Sequence, residues 1–259
     1  MNFKDKVILV TGASSGIGRE VALRLAKEKC KLALIARRVE LLDELKEKVN
    51  IYGSELITIK CDVTKKEEVK NTVSLIMERY NRIDGAILNS GVSLKQSFSN
   101  FDSSIGEQTF AVNYFGIVYF LNELLPILKK QRSGFIAGIS SLADARGFPV
   151  SGFYCSSKAA VTSLLESLRA EYKPFNVKII SIHPGFIKTP MTDKNDFPMP
   201  YLMDVKKAVD IIFKGIKKEK KVIRFPWQMA ILTAVLKRMP DSWFQILADK
   251  RVKYRKNNF

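Results

Sequence analysis

Short apolar runs alternate with amphipathic stretches along most of this chain, and that rhythm restricts its fold more than any other feature. The apolar runs are Lys6–Val10, Lys31–Ala36, Leu56–Lys60, Gly85–Asn89, Gly134–Ser140 and Val177–His183. Between them, residue spacing predicts helices over Ile17–Lys29, Val39–Tyr52, Lys65–Tyr80, Gly106–Gln131 and Ser157–Tyr172. Val21, Leu25 and Ala26 form the apolar stripe of the first. Gly85–Asn89 is apolar through most of its length without alternation, as expected for a strand buried on both faces. Such repetition predicts an α/β fold: a doubly wound parallel sheet with helices on both faces. A last strand is expected near Lys221–Phe225, followed by an extension from Pro226. The expected organisation is one domain, with residues 1–225 forming the α/β body and 226–259 a C-terminal helical extension.

Ligands in such sheets bind beyond the carboxyl ends of the strands. After the first strand comes Thr11-Gly12-Ala13-Ser14-Ser15-Gly16-Ile17-Gly18. Glycines at a strand-to-helix turn let the backbone approach a phosphate, and the helix N-terminus offers free N–H groups to it. The expected fold is therefore of the Rossmann type, with a nucleotide over this turn. Its spacing differs from the commoner G-x-G-x-x-G.

Ser141, Tyr154 and Lys158 follow the fifth apolar run. The segment from Tyr154 through Leu168 reads as helix, so Tyr154 and Lys158 share a face. An ammonium beside a phenol is expected to lower its pKa from about 10. A tyrosine so tuned acts as a general acid or base. Ser141 would bond the same substrate oxygen.

With these residues in this order, the chain resembles the short-chain dehydrogenase/reductases, whose turn reads T-G-x-x-x-G-I-G. The resemblance runs from about Lys4 to Pro190. Asn113 matches the family's catalytic asparagine, and Tyr154 and Lys158 match its Y-x-x-x-K. Pro184-Gly185 with Thr189 matches the loop P-G-x-x-x-T. Where many relatives read N-N-A-G, this chain has Leu88-Asn89-Ser90-Gly91. The resemblance implies hydride transfer between a nicotinamide and a carbonyl or alcohol, with Asn113, Ser141, Tyr154 and Lys158 catalytic. Cofactor contacts would come from Gly12, Ser14, Ser15, Gly16, Ile17, Gly18, Asp62, Val63, Asn89, Tyr154, Lys158, Pro184, Ile187 and Thr189.

An acidic residue ending the second strand would select NAD. This chain has Ala36 there, then Arg37 and Arg38. Guanidinium groups bind a 2′-phosphate, so NADP(H) is expected, with Arg37 the leading contact. Substrate walls are expected from Leu142–Gly152, Phe186 and Met191–Met203, whose Phe197-Pro198-Met199-Pro200-Tyr201 points to a hydrophobic carbonyl or alcohol.

His183 is the only histidine, which excludes a multi-histidine metal site, and it reads as a strand-end residue without catalytic duty. Cys30, Cys61 and Cys155 lack metal-ligand spacing and suit a reducing cytoplasm. No leader is expected before the first strand, and no window is expected to reach the ~18–20 apolar residues of a membrane span. Net charge is +17; from Lys206 onward fifteen Lys and Arg face four acids. No motif supports a nucleic-acid partner.

The extension pairs Trp227-Gln228-Met229-Ala230-Ile231-Leu232 and Trp243-Phe244-Gln245-Ile246-Leu247 with basic flanks. Two readings stand open: contact with a membrane surface, or packing on another subunit of a homodimer or homotetramer. A catalytically silent NADP(H)-binding sensor or scaffold at a membrane is the alternative to an enzyme.

Overall fold

The computed structural model describes residues 1–96 and 100–257, so Asn258 and Phe259 of the extension lie outside the described residues. The strands are β1 (Val7–Thr11), β2 (Lys31–Ala36), β3 (Leu56–Lys60), β4 (Gly85–Leu88), β5 (Gly134–Ile139), β6 (Val177–Pro184) and β7 (Val222–Phe225). They form one parallel sheet in the order β3-β2-β1-β4-β5-β6-β7. The order reverses between β1 and β4, which opens a crevice at their carboxyl ends.

The helices are α1 (Gly16–Ala26), α2 (Val39–Asn50), α3 (Lys66–Tyr80), α4 (Ser103–Phe110), α5 (Gly116–Gln131), α6 (Gly152–Glu171), α7 (Val205–Lys217), α8 (Trp227–Arg238) and α9 (Asp241–Asn257). Strand residues alternate between two cores. Ile8 and Val10 face α1, α2 and α7 through Val21, Leu45 and Ile212. Val7 and Leu9 face α3, α5 and α6 through Val73, Leu124 and Leu165. The apolar sequences of the central strands β1, β2 and β4 follow from this double burial. Truncating a buried leucine such as Leu34 or Leu124 to alanine would cost about 2–5 kcal/mol.

Several boundaries differ from expectation. The helix bearing Tyr154 begins at Gly152, ahead of both Tyr154 and Ser157, the expected starts. The expected single helix over 106–131 starts at Ser103, where Asp102 caps it by accepting from the Ser104 N–H, and contains a π turn at Ala111–Phe115. By length and composition Ser103–Gln131 could cross a membrane, contrary to the expectation that no window qualifies. In this fold its Phe120, Leu124 and Leu128 pack under the sheet. Helix α7 has no expected counterpart. Its lysines interrupt the stripe Ala208, Val209, Ile212, Phe213 and Ile216, which repeats at helical steps and is buried.

Candidate active site

β1 ends at Thr11, and the chain turns through Gly12 into α1. Gly12 has φ +65°, and a Cβ there would lie 2.9 Å from Asn89 Nδ2. The Asn89 side-chain amide donates to the carbonyls of Thr11 (3.1 Å) and Gly12 (3.3 Å). Its backbone N–H donates to Thr11 Oγ1 at 2.9 Å. Asn89 thus pins the turn, while Leu88 packs in the core. A Cβ on Gly18 would stand 2.3 Å from the Gly12 carbonyl oxygen, so glycine lets α1 lie against the turn.

Ser15, the N-cap of α1, makes no side-chain capping bond, and the first turn carries no acid. The helix end therefore keeps donors and a positive dipole end for an anion. Arg38 Nη2 donates to Ser14 Oγ (3.2 Å) and Ser15 Oγ (3.0 Å). Arg37 is largely exposed and lies 3.8 Å from Asp62 Oδ2. Arg38, more than Arg37, spans the phosphate turn. Asp62 accepts from the Thr64 N–H and hydroxyl at 3.0 and 2.9 Å. Val63 is buried, close to Gly116. This basic, open turn fits the pyrophosphate of a nicotinamide dinucleotide.

Ser141 follows β5 and opens a short helical turn, Leu142–Ala145. Its Oγ accepts from the Ala143 N–H at 3.1 Å and lies 3.5 Å from the Pro184 carbonyl oxygen. Tyr154 and Lys158 stand one turn apart on α6, with Lys158 Nζ 5.8 Å from the Tyr154 ring centroid. The Lys158 ammonium donates to the Ile139 carbonyl at 2.9 Å. Burial brings its pKa down to about 8. Tyr154 departs from expectation: loss of solvent around the phenol raises its pKa, and a hydrogen bond from Ser141 only partly opposes the rise. Tyr154 as a whole is only partly buried, and it borders the cavity described below.

Asn113 sits in the π turn, fully buried. Its Oδ1 accepts from the Val92 N–H at 2.8 Å, and its Nδ2 donates to Val92 O and Ser157 Oγ, both at 3.0 Å. It ties the segment after β4 to the second turn of α6. A Cβ on Gly91 would lie 3.2 Å from Asn113 Oδ1 and 3.5 Å from Lys158 Nζ, so these groups converge.

Behind Ser141 runs a network absent from the sequence reading. Ser140 Oγ donates to the Lys158 carbonyl (2.9 Å) and meets Thr162 Oγ1 (2.8 Å). Thr162 donates to Asp144 Oδ2 at 2.6 Å. The same oxygen lies 2.9 Å from Nδ1 of His183, off the line of a good ring N–H hydrogen bond. Burial acts to raise the Asp144 pKa, but His183 and Thr162 prevail and hold it below the usual carboxylate value. The available signal was spacing: Thr162 follows Lys158 by one helical turn.

Tyr154, Ser141, Lys158, Asn89, Pro184, Ile187, Thr189 and Ile17 border one cavity of about 350 Å³. Its lining also includes Leu142, Phe148, Phe186 and Phe197, within the segments expected to form the substrate walls. The Pro184–Thr189 loop closes over the turn: a Cβ on Gly16 would lie 3.3 Å from the Thr189 methyl. A further wall was not foreseen. Met229, Leu232, Thr233 and Leu236 of α8 line it, at the three- and four-residue steps of one helix face.

Residues 6–198 match the short chain dehydrogenase family. An uncharacterized oxidoreductase of Myxococcus xanthus is 32% identical over 243 residues, 94% of this chain and 96% of that protein. An alcohol dehydrogenase from Thermococcus sibiricus, complexed with 5-hydroxy-NADP, superposes with a TM-score of 0.76 at 27% identity, covering 85% of this chain and 94% of that one. A short chain dehydrogenase/reductase from Burkholderia phymatum in complex with NAD shares the fold, with a TM-score of 0.84 at 21% identity over 91% and 94% of the two chains. The seven-stranded parallel sheet agrees with these folds, and the chain belongs to the short-chain dehydrogenase/reductase family of oxidoreductases.

Proposed function

We propose that this protein is an NADP(H)-dependent enzyme interconverting a hydrophobic carbonyl compound and its secondary alcohol. The observation that carries the reading is the meeting of Ser141, Tyr154 and Lys158 in one apolar cavity that opens from the glycine turn. A bound nicotinamide supplies or accepts the hydride. In reduction, the Tyr154 hydroxyl gives its proton to the substrate oxygen. The Ser141 hydroxyl donates a second hydrogen bond as charge grows there, which favours the transition state. With a pKa of about 8, Lys158 is mostly protonated at neutral pH, and its charge offsets the phenolate left behind. Pro184 and Ile187 border the same cavity and would orient the nicotinamide ring.

Support for NADP(H) over NAD comes from Ala36 ending β2 and from Arg38 spanning Ser14 and Ser15. A carboxylate at residue 36 would repel a 2′-phosphate, whereas the guanidinium attracts it. The apolar lining supports a hydrophobic substrate. Self-association as a homodimer or homotetramer belongs to the reading, supported by exposed Phe115 stacked on Tyr119. So does a cytoplasmic setting, supported by three buried cysteines. The test is consumption of NADPH and of NADH against aliphatic and aromatic ketones of rising length, with the alcohol product identified. Turnover with NADPH that improves with apolar length supports the reading. NADPH binding without turnover on any ketone or alcohol would instead favour the sensor.

A further inference from the structure

Helix α8 has two apolar faces with different surroundings. Met229 and Thr233 are buried towards the cavity, and Leu232 and Leu236 also line it. On the outer side, Trp227, Ile231 and Val235, spaced by four, are 68%, 56% and 55% exposed. Leu232 belongs to both sides: it borders the cavity and is 45% exposed, so it forms the rim. Helix α9 continues the outer face with Trp243, Ile246 and Leu247, all exposed. The hairpin is held from within. Phe244 packs edge-on against Phe148 at 6.1 Å. Arg146, on the loop after Ser141, donates to the Leu236 and Met239 carbonyls and pairs with Asp241 at 2.7 Å. The exposed apolar residues therefore sit on an anchored element.

Charge identifies what covers them. Over 226–259 the chain has seven Lys and Arg against Asp241 and Asp249. Arg146 already pairs with Asp241. Lys237 and Arg238 stand exposed at the end of α8, and α9 carries Lys250, Arg251, Lys253, Arg255 and Lys256 in its closing turns. A second copy would bring a like-charged hairpin from another chain of net charge +17. An anionic bilayer satisfies both features: tryptophans settle at the headgroup level, and basic side chains gain from anionic lipid.

We propose that the α8–α9 hairpin docks on an anionic lipid bilayer and that a carbonyl substrate dissolved in the bilayer enters the cavity past Leu232. The entry step rests on the reductase reading above; the docking step does not. The experiment floats the full chain with vesicles of about 70% phosphatidylcholine and about 30% phosphatidylserine, and with pure phosphatidylcholine. The comparison variant is Trp227→Ser/Trp243→Ser, whose changed side chains lie outside the cavity lining. The wild type floats with the anionic vesicles, and raised salt or their replacement by phosphatidylcholine weakens binding at least about tenfold. The double variant loses binding at least about tenfold while its NADPH affinity and melting temperature hold. With a long-chain ketone presented in the anionic vesicles, the variant loses rate about tenfold, and with a short water-soluble ketone it does not. Failure of the wild type to float, equal flotation of the double variant, or loss of a dimer in the variant with flotation intact would overturn docking. Equal rates for both proteins on the vesicle-borne ketone would overturn entry past Leu232. Flotation needs no turnover, so an inactive protein that floats overturns the reductase reading and supports docking.

Discussion

Asp144 meets His183 behind Ser141, its Oδ2 atom 2.9 Å from Nδ1 of a histidine with no solvent exposure. One carboxylate thereby joins the loop after Ser141 to the strand that ends at Pro184. It also receives the Thr162 hydroxyl at 2.6 Å, which ties the same loop to α6. Three elements that border the cavity are cross-braced from one side.

Replacing Asp144 with asparagine is therefore expected to destabilise the protein by about 1–3 kcal/mol at neutral pH. The folded-state pKa of Asp144 lies below the unfolded value despite burial, because His183 and Thr162 favour the charged form. The stability it contributes is present above the unfolded pKa of about 3.9 and is lost as pH falls through the folded value. Asp84 is likewise lowered, with burial opposed by Arg82, the Val7 N–H and Lys6. The informative quantity is thus the wild-type-minus-variant difference in denaturant unfolding. It should narrow below about pH 4; a difference that does not change with pH would count against this role.

Lys158 gives the opposite dependence. Burial lowers its pKa from 10.5 to about 8, so the unfolded chain binds more protons between those values. In the cofactor-free protein the buried ammonium costs stability below about pH 8, and the penalty lessens as pH rises towards 10.5. Lys158→Met should raise unfolding stability by about 1–3 kcal/mol at pH 7 and abolish reduction. Its stability advantage should shrink between pH 8 and 10.5. A variant less stable than wild type throughout would contradict the assignment.

Arg38 and Arg37 should separate in cofactor titrations. Arg38 bonds Ser14 and Ser15, whereas Arg37 faces Asp62 from an exposed position. Arg38→Ala is expected to weaken NADPH about 10- to 100-fold and NADH much less. Arg37→Ala should have the smaller effect. Fluorescence titration reads both; the reverse ranking would return the leading role to Arg37.

Gly18→Ala should remove cofactor binding with the sheet intact, because the new Cβ would collide with the Gly12 carbonyl oxygen at 2.3 Å. Retained NADPH affinity, with unchanged far-ultraviolet dichroism, would show that the turn tolerates the displacement.

The sheet was legible because its strands are buried on both faces and their sequences are apolar almost throughout. Ser141, Tyr154 and Lys158 were legible because local spacing places them. What escaped was set by tertiary contact. The Asp144–His183 approach joins residues far apart in sequence, and no local pattern marks it. The direction of the Tyr154 pKa is not legible locally, because i,i+4 spacing gives proximity to Lys158 but carries no information on the solvent loss that raises it. Helix α7 was hidden by lysines on its outer face. The cavity-facing side of α8 was obscured by the apolar residues on its other side.

The most direct measurement compares the single-turnover rate of carbonyl reduction in wild type and Tyr154→Phe, with NADPH affinity determined in parallel. Loss of the phenolic proton should lower the rate by about 10²–10⁴-fold while cofactor affinity changes little. A Tyr154→Phe protein that reduces the same ketone at the wild-type rate would contradict the account.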